Sequence, residues 1–301
     1  VSALLLTTRG LALTLDQLHH TLQDALDYLE RKKIPMTNSV LRLRTPEGVR
    51  ATLDAMSGGH PVTAVDSGRQ PVWFIAPENE HEAAFYRNTV IHFFINRAIA
   101  ELAILQAAED NAADVKTAAW EYALRLKDIL KFDFFFPSTK EFGAQMAAEY
   151  NLMWPGWEQQ TFTPQQVLED AVKLKLVLAH RVIGPFLEAY SVFAEELAKA
   201  GDAPVEQKTI VATSLALAKQ RWLQRTLHTP ESISKDYFVN VFQYAKNQKL
   251  IEAGPDLSAR RRTFAEELRT AVRRVDDLRV IAGAMGQPVL IERAQRGDNR
   301  G

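Results

Sequence analysis

Residues 14–31 read TLDQLHHTLQDALDYLER, and their spacing decides the fold class. Leu15, Leu18, Leu22, Ala25, Leu26 and Leu29 recur at three- and four-residue steps. That is the period of one apolar face on an α-helix, not the alternation of a strand. Thr14 followed three residues later by Gln17 is a capping-box signature, and the helix must stop before Pro35.

The same grammar recurs along the chain. Thr45-Pro46-Glu47 opens a second helix that runs to the Gly58-Gly59 break. The β signal follows: Pro61–Val65 and Val72–Ile75 flank Asp66-Ser67-Gly68-Arg69-Gln70, predicting one small hairpin near residues 61–76 that lies against helices. Helix resumes after Pro77 and is expected to continue to about Asp110. Further helices are predicted at about 114–130, from Ser138-Thr139 towards Tyr150, and from Thr163-Pro164, the last divided or kinked at Gly184-Pro185 and continuing to Ala200. Gly201–Pro204 reads as a loop, helices follow near 205–227, 232–249 and 258–282, and the tail after Gly286 reads as frayed. The expectation is a mainly α multi-helix bundle with one hairpin. A boundary near the Trp154-Pro155-Gly156-Trp157 break would divide residues 1–155, with the hairpin and a central Phe85–Asp110 helix, from a C-terminal bundle at 156–301. Whether these pack as one body stays open.

Composition narrows the function classes. The 301 residues are 47% hydrophobic and 24% charged, which suits a folded core and argues against disorder. Lys and Arg number 36 against 37 Asp and Glu, so there is no basic field for nucleic acid. Cysteine is absent, which removes disulfides, thiolate catalysis and cysteine-based metal sites. The counts of 14 glycines and 13 prolines are low, as expected when few turns join long helices. Val1–Leu6 has no basic n-region or small-residue cleavage site, and the chain reads as cut from something longer.

Few residues carry chemistry. His19 and Asp24 have the H-x4-D spacing of an acyltransferase base and its orienting carboxylate, yet they sit within a regular amphipathic helix. Coincidence is the preferred reading. Within Phe85–Phe94, Asn88 and His92 at i and i+4 would be buried polar groups needing partners, either a register-fixing pair or, with Arg87, a ligand or interdomain contact. The span is too short and too charged, at Arg97 and Glu101, to cross a membrane. Phe134, Phe135 and Phe136, with Phe132 nearby, are candidate bilayer contacts, and Trp154 and Trp157 candidate interfacial anchors; a packed core is the competing reading. Arg260, Arg261, Arg262, Arg269, Arg273, Arg274 and Arg279 give the last long helix a basic character, offset by Glu266, Glu267, Asp276 and Asp277. Arg262–Glu266 and Arg273–Asp277 have i,i+4 spacing, so a solvated face is expected, with an acidic membrane surface or domain as the alternative. No G-x-S-x-G, P-loop, dinucleotide fingerprint or H-E-x-x-H occurs.

At Phe85-Tyr86-Arg87-Asn88 with His92 the sequence resembles the region after the catalytic domain in bacterial-type glycerol-3-phosphate acyltransferases, the membrane-bound sn-1 enzymes of phospholipid synthesis. The likeness extends upstream through Val1–Leu6 and Leu11–Leu18 to Arg31-Lys32-Lys33-Ile34-Pro35. Downstream it takes in Leu130–Phe136, Gly184-Pro185-Phe186-Leu187-Glu188-Ala189-Tyr190 and Glu231-Ser232-Ile233-Ser234-Lys235. The order of these landmarks is more specific than any one of them. The family's catalytic blocks have no counterpart here, and His19/Asp24 lacks their polar setting, so no catalytic residue carries over.

The resemblance implies a C-terminal helical region that supports an upstream acyltransferase domain and seats it peripherally on the cytoplasmic face of the cell membrane. That domain would transfer an acyl group from acyl-CoA or acyl carrier protein to sn-glycerol 3-phosphate, giving 1-acyl-sn-glycerol 3-phosphate, without metal or bound cofactor. The chain alone is expected to be inactive and to bind no nucleic acid. The alternative is a free-standing helical scaffold or interaction protein.

Overall fold

A computed structural model describes residues 12–59, 61–174 and 176–284. Val1–Leu6, Leu11 and the tail after Gly286, all named above, lie outside the described residues. Among the described residues are 13 α-helices and three short strands, so the chain is mainly α as expected. It packs as two compact units, one holding the described residues 12–86 and 279–284, the other 87–278. The Trp154–Trp157 break lies inside the second.

The first unit contains β1 (Leu13–Thr14), α1 (Leu15–Arg31), α2 (Asn38–Leu41), α3 (Pro46–Gly59), β2 (Thr63–Val65), β3 (Val72–Phe74) and the start of α4 (Glu80–Asn88). The Thr14–Gln17 capping box forms as expected, with Gln17 N donating to Thr14 Oγ1 at 3.3 Å and Thr14 N to Gln17 Oε1 at 3.0 Å. Thr45 caps α3 through Gly48 N at 3.1 Å. Gly48 is itself obligatory: a Cβ there would fall 1.9 Å from the Arg42 carbonyl oxygen. The hairpin gains a third strand, in the order β1-β3-β2, because Leu13 pairs with Trp73 and Thr14 with Val72. A two-residue strand directly before a cap has too few residues to show periodicity. Trp73 on the central strand is fully buried among Leu18, Leu22, Val49, Leu53, Val62 and Ile75, which is how the sheet lies against α1 and α3.

The second unit contains α5 (Ile95–Glu109), α6 (Val115–Ile129), α7 (Thr139–Met153), α8 (Pro164–Ala171), α9 (Ala179–Val182), α10 (Gly184–Lys199), α11 (Gln207–Leu223), α12 (Lys235–Asn247) and most of α13 (Leu257–Ala284). α5 is the hub, buried on nearly every side and packed against α6, α7, α8 and α9, while α10, α11 and α12 pack on one another.

Two expectations are corrected. The helix expected over Pro77–Asp110 is broken: a 3-10 turn at Pro77–Asn79, α4, a second 3-10 turn at Ile91–Phe93, then α5. Val90 and Phe94 have φ of −119° and −110°, and Val90 N bonds back only three residues to Arg87 O. The β-branched pair Thr89-Val90 favours such a break. The register shift puts Phe85, Asn88 and His92 in solvent, while Ile95, Ile99 and Leu102 keep the buried face. The segment after Thr163-Pro164 is likewise helical only to Ala171. Leu174 and residues 176–178 are buried irregular backbone before α9.

The low glycine count has a structural counterpart. Lys33, Asn111, Arg225 and Lys249 occupy the left-handed position after α1, α5, α11 and α12, with φ of 55–58°. Each is followed by an amide reaching back five residues, as in Leu250 N to Ala245 O at 2.9 Å. These helix ends do without the glycine usual there.

Candidate functional site

The sequence landmarks converge within the second unit. Arg87 and Glu231 form a buried ion pair at 2.5 Å, with side chains 4% and 5% exposed. Arg87 also donates through Nε and Nη2 to Asn88 Oδ1, at 3.1 and 2.8 Å. Burial pushes the Tyr237 hydroxyl up to about 12, with Arg87 opposing and Glu231 and Asp133 adding to the rise. Its ring packs on Phe186 at 4.4 Å, and Phe186 on Phe134 at 4.9 Å. One chain of contacts thus links four landmarks distant in sequence.

Carboxylates buried in apolar surroundings hold this cluster. Glu188 on α10 accepts from His228 N at 2.9 Å and Nδ1 at 3.0 Å, Thr229 N at 3.2 Å and Oγ1 at 2.7 Å, and Ser232 Oγ at 2.6 Å. A carboxylate only accepts, so the His228 ring must carry its proton on Nδ1. Burial pushes the Glu188 pKa up, but the donors from His228, Ser232 and Thr229 outweigh it and the net shift is downward. Glu188 thereby fixes the 228–232 segment that presents Glu231 to Arg87.

Asp133 accepts from the Tyr190 hydroxyl and from Asn240 Nδ2, the latter at 2.9 Å. Burial raises its pKa from 3.8 to about 6, the two hydrogen bonds offsetting part of the rise. The raised value sets the sign: the charged form penalises the fold fully above pH 6, and the penalty fades as pH falls towards 4. At neutral pH it is about 3 kcal/mol. Asp133→Asn is therefore expected to stabilise the chain at pH 7.5 and to lose most of that advantage by pH 4.5, as measured by urea unfolding. An equal difference at both pH values would refute the assignment.

A second buried group anchors the irregular segment. Glu101 Oε2 accepts from Leu178 N at 2.7 Å and Ala179 N at 2.8 Å, while Oε1 pairs with Arg97 Nε at 2.7 Å. Arg97 Nη2 donates to Leu176 O at 2.8 Å. Desolvation raises the Glu101 pKa, with Arg97 and the two amides pulling it back. Arg181, also buried, is lowered to about 10 by desolvation, partly countered by Glu101. Side chains of α5 thus satisfy backbone groups that neither helix nor sheet satisfies.

The remaining candidates are placed as follows. His19 Nε2 meets the Arg44 carbonyl at 3.0 Å within the helical unit, a structural contact. His92 is exposed and its ring lies tilted against Phe93, with centroids 3.9 Å apart. Trp154 and Trp157, candidates for interfacial anchors or for a packed core, are 8% and 5% exposed. They pack with Tyr150 and Phe162, Trp157 stacking on Phe162 at 4.6 Å, because the Gly156 turn (φ 82°) folds the loop onto α7. Phe134 and Phe136 are half-buried, Phe132 is exposed, and Phe135 is wholly exposed. The basic helix is not one solvated face either. Arg261 is buried and donates to the carbonyls of Leu250, Gly201, Ala203 and Ile251. Buried Arg274 pairs with Glu109 at 2.6 Å and with Asp110. Arg262 turns to Ser258 Oγ at 2.5 Å, and Glu266 pairs with Arg269 in place of the expected Arg262.

The sequence reading gave no role to Glu101, Asp133, Glu188 or Glu231. Their signal was a carboxylate inside an apolar run, as in Phe132-Asp133-Phe134 or Phe186-Leu187-Glu188-Ala189-Tyr190. With Glu101, Asp133 and Glu188 spent on neighbouring donors, the cluster can fix backbone and helix register. Among the described residues, no group of three or more histidines and carboxylates is arranged to hold a metal ion. None of the described helices is long and apolar enough to cross a membrane.

Residues 1–254 match the sequence family described as the glycerol-3-phosphate acyltransferase C-terminal region. Proteins provisionally named acyltransferase plsB1 from Mycobacterium bovis and Mycobacterium tuberculosis are each 36% identical to the chain over 244 residues. The match covers 78% of this chain and 38% of each relative.

Proposed function

The chain belongs to the glycerol-3-phosphate acyltransferase C-terminal region family, and from that membership we propose that it is the structural support of an acyltransferase rather than its catalytic part. The reaction served would be transfer of an acyl group from acyl-CoA or acyl carrier protein to the sn-1 hydroxyl of glycerol 3-phosphate, carried out by another domain of the longer protein. The carrying observation is the interlock of the landmark residues, with Glu188 positioning Glu231, Glu231 pairing with Arg87, and Asp133 joining α10 to α12. Such a network specifies one arrangement of backbone and leaves these carboxylates no free role as acid or base. The purified chain is expected to show no acyl transfer from acyl-CoA to sn-glycerol 3-phosphate, and measurable turnover would sink the reading.

Peripheral seating on the cytoplasmic face of the cell membrane is the second part of the proposal. Its support is Phe135, fully exposed, and Phe132, 42% exposed, beside Lys127 and Lys131. Phe135, Lys127 and Lys131 border an open groove of about 470 Å³, and Lys131 lies over the Phe132 ring at 5.6 Å. Exposed rings flanked by lysine stems suit the headgroup boundary. Phe135→Ser is expected to reduce flotation with anionic vesicles several-fold while leaving the melting temperature nearly unchanged, since that ring is wholly exposed. Undiminished flotation would assign membrane contact elsewhere.

A further inference from the structure

Away from the landmark cluster, where α12 ends and α13 begins, Lys246, Lys249 and Arg260 line a cavity of about 610 Å³. Glu252 is the one carboxylate among its lining residues, and Ile251 and Leu257 give it apolar walls. Among the described residues, none of the three cations is in an ion pair. Local contacts explain why the two lysine ammonium charges stay available. A helix C-terminus normally offers carbonyl oxygens to nearby cations. Here Arg260 Nη2 takes Gln248 O at 2.8 Å, and buried Arg261 takes Leu250 O and Ile251 O, at 2.8 and 3.3 Å. Those carbonyls are consumed by the guanidinium groups. Lys249, at φ 55°, occupies the left-handed position after α12, where glycine is the usual choice.

The geometry points to an anion-binding pocket for a phosphate-bearing ligand of small-molecule size. Two ammonium groups and one guanidinium supply charge-assisted donors to phosphate oxygens, and the Ile251 and Leu257 walls suit a short organic substituent. Concavity distinguishes this place from the mixed-charge exposed face of α13, where Arg269 and Glu266 neutralise each other. The phosphate can come from a soluble phosphate ester or from a lipid headgroup, and the chemistry of the pocket is the same for both.

The experiment titrates the whole chain with inorganic pyrophosphate, following melting temperature and calorimetric heat, and in parallel measures sedimentation with phosphatidic-acid vesicles. Each arm compares wild type with Lys246→Gln/Lys249→Gln and with Lys249→Gly. The glycine variant removes one charge while relieving the left-handed backbone, so it should melt at or above the wild-type temperature. Binding should weaken with added salt. It should fall about tenfold or more in the double variant, the size expected on losing two charge-assisted contacts. Pyrophosphate binding lost in both variants supports the pocket with a soluble ligand. Vesicle binding lost in both variants, with Phe132 and Phe135 intact, supports it with a headgroup. Absence of binding in both arms, or binding that survives both substitutions, overturns the proposal.

Discussion

Glu101→Ala is expected to lower the unfolding free energy by about 3–5 kcal/mol, the range for removing one partner of a buried ion pair. Three donors lose their Glu101 acceptor at once: Nε of Arg97, whose side chain is 3% exposed, and the amides of Leu178 and Ala179. None can turn to water, because Glu101 and its surroundings are almost wholly buried. Glu101→Gln should cost less, since its amide oxygen can serve one side of the site, although its NH2 then faces donors on the other. Urea unfolding gives the comparison. A loss below about 1 kcal/mol for Glu101→Ala, the size of an ordinary exposed interaction, would show that residues 176–178 are held by something else.

Glu188→Ala is the second large effect, again about 3–5 kcal/mol. Hydrogen bonds to a charged group contribute about 1.5–3 kcal/mol each, but those sharing one carboxylate do not add, so the sum of five is not expected. The loss has a place as well as a size. Residues 228–232 should loosen together, and with them the presentation of Glu231 to Arg87. Tryptic cleavage after Arg225, just before this segment, should speed up. The pH dependence runs opposite to that of Asp133. The Glu188 pKa is depressed in the folded chain, so its contribution is present above the ordinary carboxylate range and is lost as pH falls through the lower folded value. Wild type and variant should therefore converge in acid. A constant gap down to pH 2–3 would mean that packing, not charge, dominates at this position.

Much of the local structure was readable because it depends on near neighbours. Thr14 with Gln17 and Thr163 with Gln166 cap their helices through bonds three residues long, and a short window contains both partners. The hairpin strands face each other across the six residues between Val65 and Val72, and the Trp73 pairing follows from them. Local structure departs from the sequence expectation where the partner is remote. The apolar content of residues 176–178 is compatible with helix. What keeps them irregular is Glu101 and Arg97, more than seventy residues away. For Trp154 and Trp157 the sequence leaves both an interfacial and a packed-core place open, and only the turn at Gly156 shows that they stack inward.

The sequence by itself determined the helical class, most of the caps, the hairpin and the order of the family landmarks, since each rests on periodicity or on residues within one turn of each other. Tertiary structure alone decided which carboxylates are buried and what they hold. It paired Arg87 with Glu231 across 144 positions (231 − 87), broke the helix at Thr89-Val90 so that Asn88 and His92 face solvent, and closed Lys246, Lys249 and Arg260 around one cavity. The reason is physical. A hydrogen bond to the next turn has its partner fixed by the covalent chain, whereas a buried charge takes whichever donor the folded chain brings within 3 Å, and only packing selects that donor.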